Sequence, residues 1–212
     1  MAKYTHEHRR KYDGGYGNGI LYRMCEEQPD HKNKEIISGK LWIIGRVYSA
    51  SIERTKNKRV KKQGNFIRDH AAPIIKKSGI DEWIKDGSDF SKLDEGNLEK
   101  SLECHKKVTD LFWDISELEK RSLASKYLHF HAPHAFFIYD SIASKRIKEK
   151  VQKLSKKDSA NLKTLLAKFH GQKKHDSEYA KFCIRCLCYL KSNRGSRKTP
   201  RQLDMELLKY KF

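Results

Sequence analysis

Residues 122–145, SLASKYLHFHAPHAFFIYDSIASK, hold the pattern from which the fold is read. A helix is expected over 122–131, and Pro133 stops it, because the residue before a proline is pushed out of helical conformation. The apolar run 135–139 then crosses the interior and delivers a lone acid, Asp140, to the start of a basic helix over 141–154. Aspartate is among the best capping residues, so Asp140 reads first as a plain N-cap. Capping does not exclude chemistry: a carboxylate anchored at a helix start keeps a fixed position. That suits an acid which must stay ionised beside a developing cation.

Working outward, 98–113 places Leu98, Leu102, His105, Val108, Leu111 and Phe112 on one side of a helix, followed by a charged turn over 114–121. Ser38 is the expected N-cap of an earlier helix, in which Leu41, Ile44, Val47 or Tyr48, and Ile52 recur at helical spacing. Gly45 inside it points to close packing. Further helices are expected over 67–77, interrupted near Pro73, and over 80–85, with a loop at 86–96. Downstream come helices over 162–169 and 179–190, and Pro200 opens a last one ending LDMELLKYKF. Residues 1–35 read as irregular, and 13–19 (DGGYGNG) as a surface loop, since its glycines match no phosphate-loop spacing. No segment alternates as a strand. The class is therefore all-α: a single domain, a compact helical bundle that can divide into two lobes with a cleft between them.

Across the 212 residues, 46 Lys and Arg face 27 Asp and Glu, a net charge of +19. So large an excess repels itself unless a polyanion relieves it. Phosphate backbones gain from such a field by counterion release. An anionic membrane surface competes for the same charge, but no basic helix carries the broad apolar face that lies in bilayers. The longest apolar-leaning run, 41–47, is too short to span one. No apolar stretch follows the polar first ten residues as in a signal peptide, and five cysteines is an odd number. Reduced thiols and a cytoplasmic monomer are expected.

The stretch 122–128 (SLASKYL) followed by Ile138-Tyr139-Asp140-Ser141 resembles the helix-hairpin-helix DNA glycosylases, nearest to the archaeal-type 8-oxoguanine DNA glycosylases. Ser122 and Asp140 lie eighteen positions apart, close to the family's spacing between its lysine and aspartate. Residues 42–54 (WIIGRVYSASIER) are similar to the early family helix that plugs the hole left by the extruded base. Residues 203–210 (LDMELLKY) resemble the C-terminal helix beside the base pocket. The resemblance covers about a quarter of the chain, in the family's order. It implies an enzyme that flips a modified base out of double-stranded DNA and cuts its glycosidic bond, with no cofactor and no metal.

Two departures shape the expectation. The family hairpin reads Gly-x-Gly; here Leu118-Glu119-Lys120 stands there, with Glu117 adjacent. Bifunctional members carry a lysine where this chain has Ser122, and a serine forms no Schiff base. The resemblance then implies a monofunctional glycosylase with Asp140 stabilising the oxocarbenium-like sugar or orienting the attacking water. Lys126, one helical turn beyond Ser122, is the first alternative amine and Lys120 the second. Carried over in the same way, Arg46, Tyr48, Ser49, Ser51, Lys120, Lys145 and Arg146 contact DNA, with Tyr48 as the wedge. Trp42, His131, Tyr139 and Asp204 border the base pocket.

His129, His131 and His134 surround Pro133 without a recognised metal spacing, so phosphate or supporting contacts are expected of them. Cys183, Cys186 and Cys188 lack the four-cysteine spacing of iron–sulfur glycosylases and read as small core residues. Basic clusters at 56–62, 145–157 and 191–201 suit either solubility or a DNA surface. The rival function is a DNA- or RNA-binding protein without catalysis, which needs Asp140 only as a cap. The identity of the base is open. The lack of a housekeeping signature points toward a specialised role, such as defence against foreign, phage-type DNA.

Overall fold

The computed structural model describes residues 16–56, 64–192 and 198–208, and among these the chain is entirely helical, with no strand. The helices are α1 (Tyr16–Glu27), α2 (Lys34–Val47), α3 (Ala72–Lys77), α4 (Ile80–Ser88), α5 (Leu98–Ser116), α6 (Arg121–His131), α7 (Ser141–Val151), α8 (Lys156–Lys168), α9 (Ser177–Lys191) and α10 (Pro200–Leu208). A π-helical turn over Phe66–Ala71 runs directly into α3, whose Pro73 sits in the first turn after that junction.

Two hydrophobic cores organise these elements. Leu21, Ile37, Leu41, Ile44, Val108, Phe112, Tyr127 and Phe130 belong to the first. Leu98, Leu102, Ile147, Tyr179, Phe182, Leu187 and Leu203 belong to the second. α5 is shared, its first turns facing the second core and its last turns the first. The apolar run before Asp140 is the other bridge: Phe136 enters the first core and its neighbour Phe137 the second. Successive side chains of an extended segment point to opposite sides, which is why two adjacent phenylalanines can serve both.

Side-chain caps fix the helix starts. Asn33 accepts from the Glu35 and Ile36 amides, Asp140 from Ala143, Ser155 from Asp158 and Asp176 from Tyr179. Each satisfies an amide that the helix leaves orphaned, an effect worth about 1 kcal/mol.

Several expectations are corrected. Residues 16–27 are helical, although 1–35 read as irregular and 13–19 as a loop; residues 13–15 lie outside the described residues. Leu21, Tyr22 and Cys25 recur at helical spacing and are buried, and that burial outweighs the cost of Gly17 and Gly19 in the first turn. The N-cap of α2 is Asn33, not Ser38, which sits inside the helix and donates to the Lys34 carbonyl. α2 stops at Val47, and Ile52 is buried from the segment that follows. α8 begins at Lys156, well before Leu162: Leu162, Leu165 and Leu166 pack on the second core, whereas the residues before Leu162 are mostly polar and give no apolar spacing to read. The basic stretches 57–63 and 193–197 lie outside the described residues.

Candidate active site

α6 places Ser122, Lys126 and Phe130 one turn apart on a single face. Lys126 is only 3% exposed, and its ammonium donates to Ser122 Oγ at 2.7 Å. Asp140 Oδ2 stands 3.9 Å from the same nitrogen, while Oδ1 accepts from the Ala143 amide at 2.7 Å. The cap and the cluster thus use different oxygens of one carboxylate. Ser125, fully buried, holds the approach to Asp140 in place, its hydroxyl accepting from the Tyr139 amide at 3.0 Å. Sequence reading missed Ser125; its one signal is a hydroxyl on a helix face opposite an apolar run.

Asp204 of α10 joins the cluster from the far end of the chain. It is 5% exposed, and burial pushes its carboxyl up to about 6; Arg201 opposes the shift, Asp140 adds to it and Lys126 opposes it. Arg201 Nη1 lies 3.5 Å from Oδ2, and among the described residues Oδ1 has no hydrogen-bond partner. Burial lowers the Lys126 amine from its usual range, and the charges of Asp140 and then Asp204 pull it back up. With a quarter of its side chain exposed, Asp140 is reachable from solvent, whereas Lys126 lies beneath it. A negative group is thereby held at a helix start by an amide, a buried cation and a rigid approach segment.

Beyond Phe130 the same face of α6 opens into a cavity of about 440 Å³, bordered by Tyr22, Glu26, Phe130, His131, His134 and Arg201. Arg201 connects the two features, since its guanidinium lies over the Tyr22 ring at 5.3 Å and also pairs with Asp204. Tyr22 and Phe130 pack with ring centroids 4.7 Å apart. The wall is therefore largely aromatic, with one guanidinium and one carboxylate at its edge. A planar, polar-edged group fits such a lining.

The three histidines around Pro133 have structural partners. His129 donates from Nδ1 to the Phe136 carbonyl and accepts the Tyr22 hydroxyl at Nε2, each at 2.7 Å. Burial drives it down to about 3. His131 donates to the Tyr127 carbonyl and accepts from Lys40 Nζ at 3.0 Å; burial, the Lys40 charge and His31 keep it neutral. His134 donates to the Ser88 carbonyl. The five cysteines are free and buried, so those of α9 serve as core residues.

Of the residues assigned to the base pocket, His131 lines the cavity and Asp204 lies behind Arg201. Trp42 is 55% exposed on α2, with Arg46 stacked against it, and lies away from the cavity. Tyr139 packs into the second core beneath Arg121, again away from it. Tyr22, Phe130 and Arg201, which sequence reading passed over, form the wall instead. Tyr48 is half buried against Phe130, whereas the next residue, Ser49, is exposed in a left-handed conformation with φ 52°. Ser51 is half buried and accepts from the Glu53 amide. Lys145 is exposed, and Arg146 is turned onto the Leu207 carbonyl, fastening α7 to α10. Lys120 is spent inside the protein: its amine donates to the carbonyls of Ser51 and Arg54 at 2.8 and 2.6 Å. Glu117 adopts the left-handed conformation that closes α5, where a glycine would be unstrained. Among the described residues no helix is long and apolar enough to cross a membrane. The chain matches no protein family, no curated protein and no solved structure.

Proposed function

We propose that the protein is a monofunctional DNA N-glycosylase, a helix-hairpin-helix-like body of two lobes that excises a modified base and leaves an abasic site. One observation carries this reading. Asp140 is more than a cap: its second oxygen faces the buried Lys126–Ser122 pair, and the same helix face leads to an aromatic cavity. A cap alone needs none of that.

In this reading the duplex lies on the basic surface and the extruded base enters the cavity, between Tyr22, Phe130 and Arg201. As the C1′–N bond breaks, the electron pair leaves with the base and positive charge grows on the sugar. The Asp140 carboxylate, already oriented, stabilises that charge and directs a water to C1′; the water's oxygen bonds C1′ while its proton is released through solvent, and the departing base takes up a proton from solvent. Lys126 is a positioning residue, because its amine is covered and committed to Ser122 and Asp140. With the Lys126 amine covered, hydrolysis is favoured over Schiff-base chemistry at this residue.

The test is incubation with a panel of duplexes carrying oxidised, alkylated and bulky modified bases, then alkali to cut abasic sites, alongside borohydride trapping. The reading expects alkali-dependent cleavage on at least one modified duplex and no trapped adduct. A trapped adduct overturns the monofunctional assignment and moves the nucleophile to Lys126. Binding without cleavage across the panel favours a non-catalytic nucleic-acid-binding protein.

A further inference from the structure

Away from that site, α5 presents Glu99 and Glu103 one helical turn apart, and the turn between α8 and α9 brings His175 against them. One carboxylate oxygen from each acid and one ring nitrogen of His175 all lie within 4.8 Å of one another. His175 is 5% exposed, and neither of its ring nitrogens has a hydrogen-bond partner among the described residues. Buried polar atoms are almost always partnered, so an imidazole left bare at both nitrogens and facing two carboxylates calls for a reason. Phe169 packs on its ring at 5.5 Å and fixes its orientation. Lys174 also faces the acids, 3.6 Å from Glu103 and largely exposed.

We infer that Glu99, Glu103 and His175 form a binding site for a borderline divalent cation of the zinc class. One imidazole and two carboxylates match that ion's mixed nitrogen and oxygen preference, whereas magnesium and calcium take oxygen ligands alone. Metal–ligand bonds of about 2.0–2.2 Å require the three donors to close in slightly. Rotation of the two half-exposed glutamates supplies that movement, while His175 stays fixed. The expectation from sequence was no metal. Two acids on a helix face and a histidine far along the chain leave no recognisable spacing, so only the fold brings them together.

The site is structural. It ties α5 to the turn that carries Asp176, which caps α9 and pairs with Arg121 at 2.6 Å at the start of α6. An ion there braces the α5–α6 hairpin against the second core. This holds whether or not the protein excises bases.

The test is calorimetric titration of the full, chelator-stripped chain with ZnCl2, repeated on Glu99→Gln/Glu103→Gln and on His175→Gln. The parent should bind one equivalent through this site, and its melting temperature should rise with Zn2+. Either variant should lose about tenfold or more in affinity, since loss of even a supporting partner typically costs 10–100-fold. MgCl2 and CaCl2 should not compete. The double glutamine variant changes only half-exposed side chains, so it folds even if His175→Gln does not. Unchanged affinity in that variant, or effective competition by Mg2+, overturns the assignment.

Discussion

A carboxyl group that loses its water and gains only part of a partner holds its proton longer, and Asp204 is in that position. Raised to about 6 from an ordinary value of 3.8, it binds a proton in the folded chain that the unfolded chain has already released. Its contribution to stability is therefore fully present below about pH 4 and is lost as pH rises through 6. Asp204→Asn should remove this dependence. Urea unfolding should find the variant equal to the parent near pH 4 and more stable by about 3 kcal/mol at pH 7, the order expected of a two-unit shift. A difference that does not vary with pH would mean that Asp204 finds a full partner in solution. The same residue also supports the cluster: its charge, with that of Asp140, sustains the Lys126 ammonium. Buried acids beside a solvent-reachable one are a common arrangement where a protein fixes charge for chemistry.

The turn between α5 and α6 is supported from a distant part of the chain. It is held by Lys120, whose amine caps the carbonyls of Ser51 and Arg54, while Thr55 donates to the Ser116 carbonyl at 2.9 Å. Burial, with the Arg54 charge adding to it, lowers that amine to about 8. Lys120→Met should cost about 2–3 kcal/mol, because two carbonyls lose a charged donor, and should leave the salt dependence of DNA binding unchanged. A stability-neutral variant with a shallower salt dependence would put Lys120 on the DNA instead. This role was not legible in the sequence, since Lys120 and Ser51 meet only after folding. What was legible is local. α5 and α6 follow from their apolar spacing and from Pro133, and α7 from Asp140. Ser122, Lys126 and Asp140 fall together because they sit on consecutive elements. The cavity was not legible, because Tyr22 and Arg201 come from opposite ends of the chain. α1 was obscured by glycines whose cost is offset by tertiary burial, and the start of α8 by first turns that are mostly polar.

At the scale of the molecule, two cores share α5 and the Phe136–Phe137 crossing, and the Asp140 cluster lies where the crossing ends. A charge of +19 surrounds them. If that charge serves a duplex, affinity should fall roughly 10³-fold or more between 50 and 200 mM salt, as for a protein neutralising several phosphates. A flat response would mean that the charge does not serve a polyanion. Whether Asp140 does chemistry besides capping α7 has a sharper test. Asparagine caps a helix about as well as aspartate and keeps its size while removing its charge. Excision of a susceptible base by Asp140→Asn and by the parent should be compared on the same duplex, with melting temperature and duplex affinity measured alongside. The variant should be slower by roughly a hundredfold or more, the scale of losing one preorganised electrostatic group, with folding and binding intact. Excision at the parental rate would leave Asp140 as a cap alone.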